Sequence, residues 1–204
     1  MPAPVNRLTD LHVHSRYSDG ADIPEDIIVS AIKLGVKTLG FSDHSFTEFD
    51  TSYCMKKEKT AEYVSEIRSL AEKYSGEICV LCGIEQDLFS GQPDGGYDYV
   101  IGSVHYFRLG DEYIPVDLNA KTLLYAAEKY FGGDMISLAE EYYRSVSRLG
   151  RMSPDIIGHI DLITKFNEGG ALFDEGDPRY VDASRRAVDE ILSDRPGQVF
   201  EINT

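Results

Sequence analysis

Histidines are the residues of this chain most able to do chemistry, and all five lie at or beside the end of a strand-like run. They are His12, His14, His44, His105 and His159. Imidazole is the commonest protein ligand for transition metals. Barrel enzymes build their active sites from side chains gathered at the ends of several strands. The distribution of histidine therefore predicts a metal site.

Carboxylates accompany these histidines. Asp19 lies in a turn sequence shortly after the first pair, and Glu85 ends a very apolar run. A carboxylate in such a run is costly unless it is paired or bound to a metal, so we interpret Glu85 as a bridging ligand between two cations. Asp161 lies two residues beyond His159 and is a candidate either to orient that imidazole or to act as a catalytic acid.

Each of these residues alone has a plain structural interpretation. His12 and His14 could form a hydrogen-bonding pair at a strand end, and Asp19 could be a turn residue. Together, successive strand ends that each deliver His, Asp or Glu favour a polynuclear metal site over a set of satisfied core polar groups. The ligand types indicate two to three divalent ions of Zn, Mn or Fe, which activate water for hydrolysis of phosphate esters.

Short strand patterns alternate with longer helical ones, as expected for an α/β protein with a parallel sheet or barrel. Asp22 is predicted to cap the first helix, with Pro24 in its first turn and Gly35 as its stop. The predicted helices are 22–34, 57–74, 121–130, 134–149 and 177–192, where Asp177 is the cap. The predicted strands are 8–14, 36–41, 78–84, 97–106, 156–160 and 198–202.

The composition limits the possible partners. A net charge of −15 argues against a face that binds long nucleic acid, and no apolar run approaches the length of a membrane span. Three cysteines, an odd number, without a secretory leader indicate a reduced, cytoplasmic compartment. Cys79 and Cys82 form a Cys-x-x-Cys within a strand, and we expect them to pack in the core rather than bind zinc.

Several segments, in this order, resemble the PHP family, named for polymerase and histidinol phosphatase. They are Leu11-His-Val-His-Ser15, Phe41-Ser-Asp-His44, Gly83-Ile-Glu85, Gly102-Ser-Val-His105 and Gly158-His-Ile-Asp161. The last two, with the Glu-Ile-Asn-Thr of residues 201–204, are most similar to the histidinol-phosphate phosphatases. The resemblance covers all 204 residues as a single PHP domain, and it implies a distorted, TIM-like (β/α)7 barrel with a trinuclear centre at the C-terminal ends of the strands.

The resemblance also implies a set of metal ligands. Carried over by position, they are His12, His14 and Glu85 for a first ion, Glu85 as a bridge with His105 and His159 for a second, and Asp19 and His44 for a third. The family's remaining Asp and His ligands, on a seventh strand, and its phosphate-binding arginine have no counterpart before Thr204. We therefore expect the final strand to be missing and the domain to be incomplete at its C-terminus. Arg108 is a candidate to contact an anionic substrate, or else a solvated loop residue.

The implied activity is a phosphomonoesterase that hydrolyses L-histidinol phosphate to L-histidinol and phosphate in histidine biosynthesis. Its partner would be a small phosphorylated metabolite, with no membrane and no long nucleic acid; the sequence indicates no oligomeric state. One alternative is a PHP-type phosphodiesterase or exonuclease that acts on nucleotides, against which the acidic charge and the absence of a basic stripe count. Another is a catalytically inactive metal-binding domain, which the missing ligands favour.

Overall fold

The computed structural model describes residues 8–93 and 95–202. The chain divides into two compact units. Of the described residues, 8–86, 90–93 and 95–101 form the first unit, and 87–89 and 102–202 form the second unit. The assignment of residues 1–204 to a single domain stays a prediction.

The first unit alternates strands with helices, as the sequence predicts. Its strands are β1 (Thr9–Val13), β2 (Thr38–Phe41), β3 (Cys79–Asp87) and β4 (Tyr99–Ser103), and its helices are α1 (Pro24–Leu34) and α2 (Thr60–Lys73). The strands are neighbours in the order β1–β2–β3–β4, and β2 pairs in parallel with both β1 and β3. The last residues of β3 and β4 belong to the second unit.

The start of α1 differs from the prediction. Its N-cap is Ile23, whose backbone is extended at φ −74 and ψ 148, and no side chain caps the helix. Asp22 was therefore wrongly predicted as the cap. The reason is Pro24 at the first helical position, because a proline disfavours helical backbone in the residue before it. Gly35 ends the helix as expected, in the left-handed conformation with φ 82.

The core of the first unit lies between the sheet and its helices. Ile28 of α1 and Ile67 of α2 are fully buried with Phe41 of β2. The two cysteines of Cys-x-x-Cys separate: Cys82 is buried, but Cys79 is exposed, so the predicted core packing was wrong for Cys79. Residues three apart on a strand face opposite sides, which explains the difference.

The second unit begins with an antiparallel hairpin and continues mainly as helices. Its elements are β5 (Tyr106–Leu109), β6 (Glu112–Pro115), α3 (Ala120–Phe131), α4 (Met135–Ser147), α5 (Leu149–Met152), β7 (Ile156–Ile157), α6 (Pro178–Asp194) and β8 (Val199–Phe200). Strand β7 pairs in parallel with β8, and the amide of Gly158 donates to the carbonyl of Gly102 at the end of β4 at 3.0 Å. The predicted strand 97–106 was too long, because it ends at Ser103 and a separate hairpin follows.

Helices α3, α4 and α6 of the second unit are capped by Asn or Asp, residue types whose side chains accept hydrogen bonds from the first free amides of a helix. The carboxylate of Asp177 accepts a hydrogen bond from the amide of Arg179, which confirms its predicted role, and Asn119 and Asp134 cap α3 and α4 in the same way. Within the described ranges, none of the helices has the length and apolar character needed to span a bilayer.

Tyr99 of β4 is the residue that crosses the interior of the first unit. A Cβ atom added at Gly40 of β2 or at Gly83 of β3 would lie 2.2 Å from the Tyr99 side chain. The ring therefore occupies space that any other residue at these two positions would need. The Tyr99 hydroxyl donates hydrogen bonds to the carbonyls of Leu11 and Phe41 at 2.6 and 3.2 Å.

Substitution of Gly83 by alanine should destabilise the protein by about 3 kcal/mol, because the new methyl group overlaps the Tyr99 ring. Gly76→Ala is the matched control, since a Cβ atom at Gly76 meets nothing within 4 Å, and it should change stability by less than about 0.5 kcal/mol. Urea denaturation of the two variants measures the difference. Equal stability of Gly83→Ala and Gly76→Ala would contradict the packing described here.

Candidate metal centre

Two histidines of β1 meet one carboxylate of β3. The Nε2 atom of His12 lies 3.2 Å from Oε1 of Glu85, and the Nε2 atom of His14 lies 3.2 Å from Oε2 of Glu85. One ligand atom from each residue lies within 4.8 Å of those of the other two. Glu85 is only 1% exposed, so its carboxylate has imidazoles, rather than bulk water, as its polar surroundings.

A second group of possible ligands shares His14 with the first. The Nδ1 atom of His14 lies 2.8 Å from Oδ1 of Asp19, and the Nε2 atom of His44 lies 3.7 Å from Oδ2 of Asp19. His44 also contacts Glu85, through its Nδ1 atom at 2.8 Å from Oε2. The two nitrogens of the His14 ring thus face two different carboxylates. The family resemblance places His14 with the first group only, whereas here its ring lies between the two groups.

The backbone fixes His44 beside Glu85. The two residues form an isolated parallel bridge just beyond the end of β2. The amide of Glu85 donates to the carbonyl of Asp43 at 3.1 Å, and the amide of Ser45 donates to the carbonyl of Glu85 at 2.8 Å. The ladder between β2 and β3 therefore continues into the site, so the histidine side chain starts from a defined position.

Asp43 holds the loop that carries Asp19. Its buried carboxylate accepts four hydrogen bonds, from the amide and hydroxyl of Ser15 and from the amide and hydroxyl of Ser18, at 2.7 to 3.0 Å. These bonds satisfy a buried charge that would otherwise be costly. Sequence reasoning missed this role, although two serines between His14 and Asp19 are a signal of donors that need an acceptor.

Gly20 allows the same loop to turn back on β1. A Cβ atom at Gly20 would lie 2.6 Å from the carbonyl carbon and oxygen of His14, which only glycine avoids at this distance. The close approach of the two backbones places the neighbouring Asp19 carboxylate against the His14 ring. In the Ser-Asp-Gly sequence, the glycine therefore permits the turn and the aspartate contacts His14.

The charges of the first unit's cluster depend on one another. Burial lowers the pKa of His14, but hydrogen bonds to Asp19 and Glu85 act in the opposite direction and raise the pKa to about 9. The hydrogen bond from His14 and the nearby His44 imidazole hold the pKa of Asp19 well below its usual range. At neutral pH the metal-free cluster therefore contains a protonated His14 beside an ionised Asp19.

The remaining two histidines lie together in the second unit. The ring centroids of His105 and His159 are 5.0 Å apart, with an angle of 72° between the ring planes. The amide of His105 donates to Oδ2 of Asp87 at 2.8 Å, and the same oxygen lies 3.4 Å from Nδ1 of the ring. The amide of His159 donates to Oε2 of Glu201 at 3.1 Å.

Asp87 was also missed by sequence reasoning. It is 2% exposed, and both its contact with the His105 ring and its bond to the His105 amide fix that histidine. The signal was its position at the end of β3, two residues beyond Glu85, in a strand where alternate residues share a face. Its burial could not be read from the sequence.

Two other predicted site residues are exposed. The carbonyl of Asp161 accepts hydrogen bonds from the amide and hydroxyl of Thr164, both at 2.8 Å. Arg108 lies on β5, and its guanidinium is 5.6 Å from the centroid of the Tyr113 ring. The described residues include no carboxylate partner for Arg108 in an ion pair. The proposed roles of Asp161 and Arg108 stay predictions.

The donor atoms in the first unit suit a transition metal. They are imidazole nitrogens and carboxylate oxygens without thiolate, the combination that Zn, Mn and Fe accept. The Nε2 atom of His14 is buried, and it lies 3.2 Å from Oε2 of Glu85. Once the ring loses its proton, this nitrogen and a carboxylate oxygen 3.2 Å away could both bind one cation. The residues therefore fit a metal ion.

The raised pKa of His14 predicts how metal affinity depends on pH. Below a pKa of about 9 the His14 ring carries a proton in the metal-free protein, and a metal ion must displace it. The apparent affinity for zinc should therefore rise about tenfold per pH unit between about pH 6 and about pH 8. Competition with a zinc chelator measures the slope, and NMR titration of the metal-free protein measures the His14 pKa directly. A pH-independent affinity would show that zinc binding does not displace a proton from His14.

Comparison with known proteins agrees with the motifs. Residues 10–204 match the family model described as the PHP domain. A protein of Deinococcus radiodurans named "Probable histidinol-phosphatase" is 31% identical over 171 residues, which cover 78% of this chain and 62% of that protein. The histidinol-phosphatase of Bacillus subtilis is 28% identical over 181 residues, which cover 77% of this chain and 67% of that protein. The chain thus spans less than two thirds of the length of the first relative.

A solved structure shows the same fold. It is a histidinol phosphate phosphatase from Lactococcus lactis subsp. lactis, complexed with zinc, L-histidinol and phosphate. The TM-score is 0.70 at 21% sequence identity, and the match covers 97% of this chain and 73% of that chain. At this identity the likeness shows the fold alone, and it confirms the predicted α/β fold of the PHP type.

Proposed function

The chain belongs to the PHP domain family, and we propose that it is a metal-dependent phosphomonoesterase that hydrolyses L-histidinol phosphate to L-histidinol and phosphate. Supporting this substrate are the histidinol-phosphatases among its relatives and the zinc, L-histidinol and phosphate in the Lactococcus lactis structure. The observation that carries the proposal is the buried Glu85 carboxylate, which has nitrogens of His12, His14 and His44 at 3.2, 3.2 and 2.8 Å.

Each ligand has a proposed place. In the first unit, His12, His14 and Glu85 would hold one ion, and Asp19 and His44 would hold another. In the second unit, His105 and His159 would take part in holding a further ion. The total would be two to three divalent ions of Zn, Mn or Fe, and such ions supply an activated water and neutralise charge on a phosphoryl group.

The protein's own residues prepare this chemistry. Glu85 and Asp19 supply negative charge where cations would bind, and burial of Glu85 strengthens its electrostatic field. Asp43 keeps Asp19 in place through its four hydrogen bonds with Ser15 and Ser18. Asp161 would donate a proton to the leaving alcohol or orient an imidazole. The partner is a small phosphorylated metabolite, and the net charge of −15 disfavours long nucleic acid.

Elemental analysis and phosphate release together test the proposal. Protein purified without chelator should contain two to three first-row divalent ions per chain and should release phosphate from L-histidinol phosphate. A nucleotide diester assayed in parallel should be cleaved far more slowly. Absence of metal after reconstitution with zinc and manganese would contradict the metal centre. Diester cleavage faster than monoester cleavage would instead support a nucleotide phosphodiesterase.

Glu85→Gln should reduce kcat/KM for L-histidinol phosphate by more than about a hundredfold, because the neutral amide removes the buried charge that would hold the cations. Glu77 provides the control, because it is exposed and lies two residues before β3 begins. Glu77→Gln also removes one negative charge and should leave both kcat/KM and the metal content unchanged. Metal content measured on both variants separates loss of the ion from loss of the fold.

Arg108→Gln should raise KM for L-histidinol phosphate about tenfold with little change in kcat, because an exposed guanidinium without a carboxylate partner among the described residues is available for a phosphate. Arg151→Gln, which removes another exposed arginine of the second unit, is the matched control. Steady-state kinetics of both variants provide the measurement. An unchanged KM in Arg108→Gln would show that Arg108 is only a solvated surface residue.

A further inference from the structure

Strand β1 contains one more residue than its partner β2 over the same length. The register passes from Asp10 opposite Leu39 to Val13 opposite Phe41. Leu11 and His12 therefore lie opposite Gly40 alone. An extra residue of this kind is a β-bulge, which bends the strand, re-aims side chains and occurs often beside active sites.

Two side chains complete the hydrogen bonding of this bulge. The amide of His12 donates to Oδ1 of Asp10 at 3.1 Å. The carbonyl of Leu11 accepts from the hydroxyl of Tyr99 at 2.6 Å, and the carbonyl of Phe41 accepts from the same hydroxyl at 3.2 Å. Both backbone groups of the Leu11–His12 peptide bond thus have side-chain partners. Backbone groups that leave a ladder need such partners when water cannot reach them.

Tyr99 reaches this peptide across two intervening strands. It lies on β4, whereas the bulge lies on β1, with β3 and β2 between them in the sheet. The Tyr99 ring crosses both intervening strands at their glycines, where a Cβ atom would lie 2.2 Å from it. Only 7% of the residue is exposed. Gly40 and Gly83 leave room for the Tyr99 ring, and the ring in turn carries the hydroxyl that donates to β1.

The bulge decides which side chains of β1 face Glu85. Without the extra residue, His12 rather than Val13 would pair with Phe41. A shift of one residue exchanges the two faces of a strand, so the side chains after that point would change sides. In the structure both His12 and His14 reach Glu85 at 3.2 Å, and their ring centroids are 5.2 Å apart.

We propose that Tyr99 is a positioning residue of the metal centre: with the carboxylate of Asp10, its hydroxyl holds the β1 bulge that aims His12 and His14 at Glu85. Tyr99 contacts the backbone of β1 and β2 rather than any reacting atom. This inference rests on the proposed metal-dependent function, and it assigns a task to a tyrosine that the chemistry itself does not use.

Tyr99→Phe tests the inference, because the phenyl ring still fills the space beside Gly40 and Gly83 while both hydrogen bonds are lost. Zinc affinity, measured by chelator competition, should fall about tenfold to a hundredfold. A crystal structure of the metal-free variant should show an altered register between Asp10 and Val13. Unchanged affinity together with an unchanged bulge would overturn the inference.

Tyr63→Phe is the matched control. The buried hydroxyl of Tyr63 also donates to a backbone carbonyl of the same sheet, that of Gly83 at 2.8 Å. That carbonyl lies on β3, whose register with β2 is regular. Tyr63→Phe should therefore lose stability but keep zinc affinity within about twofold of the wild type. An equal loss of affinity in both variants would mean that Tyr99 acts only through general stability.

A second pair of variants tests the other partner of the bulge. Asp10 is exposed, so its substitution leaves the core intact. Asp10→Ala removes the acceptor for the His12 amide and should weaken zinc binding in the same direction as Tyr99→Phe. Asp10→Asn makes the same change in charge but keeps an oxygen acceptor, so it should retain the wild-type affinity. Equal affinities of Asp10→Ala and Asp10→Asn would contradict the role of the bulge.

The wild-type measurements separate this inference from the proposed function. Wild-type protein that binds no zinc and releases no phosphate would refute the proposed function. The metal-free structures would then still decide the inference, since a Tyr99→Phe variant that keeps the bulge overturns it and one that loses the bulge supports it. Wild-type zinc binding that Tyr99→Phe leaves unchanged would overturn the inference alone.

Discussion

Burial of the Glu85 carboxylate is the constraint on which the first unit depends. A charge that is 1% exposed is tolerated only if other groups take over the role of water, and three imidazoles and a continued backbone ladder do so here. Each imidazole must in turn be delivered by a strand end in the correct register. The register of β1 and the end of β2 therefore determine whether the Glu85 carboxylate is surrounded by imidazoles.

The ionisable groups of the cluster affect one another. The ring of His14 is shared by two carboxylates, and its raised pKa reflects their combined effect after the opposing influence of burial. Asp19 is half of this arrangement, yet its position depends on Asp43, which belongs to another strand end. A change in any one of these residues is therefore felt by the others, and single substitutions in the cluster should not be additive.

Much of the fold and the ligand candidates could be predicted because they are local in sequence. Strand-like runs that end at or beside His12, His44 or Glu85 can be read directly, and five of the histidine and carboxylate candidates do lie together in the first unit. The β5–β6 hairpin was missed although the sequence signals it, since the two-residue turn Gly110-Asp111 separates two short strand-like runs. The roles of Asp43 and Tyr99 could not be predicted, since their partners are separated from them by 25 to 88 residues.

That long separation has a consequence for the order of folding. The bond between the Tyr99 hydroxyl and the Leu11 carbonyl joins residues 88 positions apart, and the chain between them contains β2 and β3. Closing so long a loop is entropically costly until the intervening contacts exist. During synthesis, His12 and His14 therefore leave the ribosome before Tyr99, the residue that holds them in their folded positions. Metal binding at the proposed centre would therefore come late in folding, after the sheet is complete.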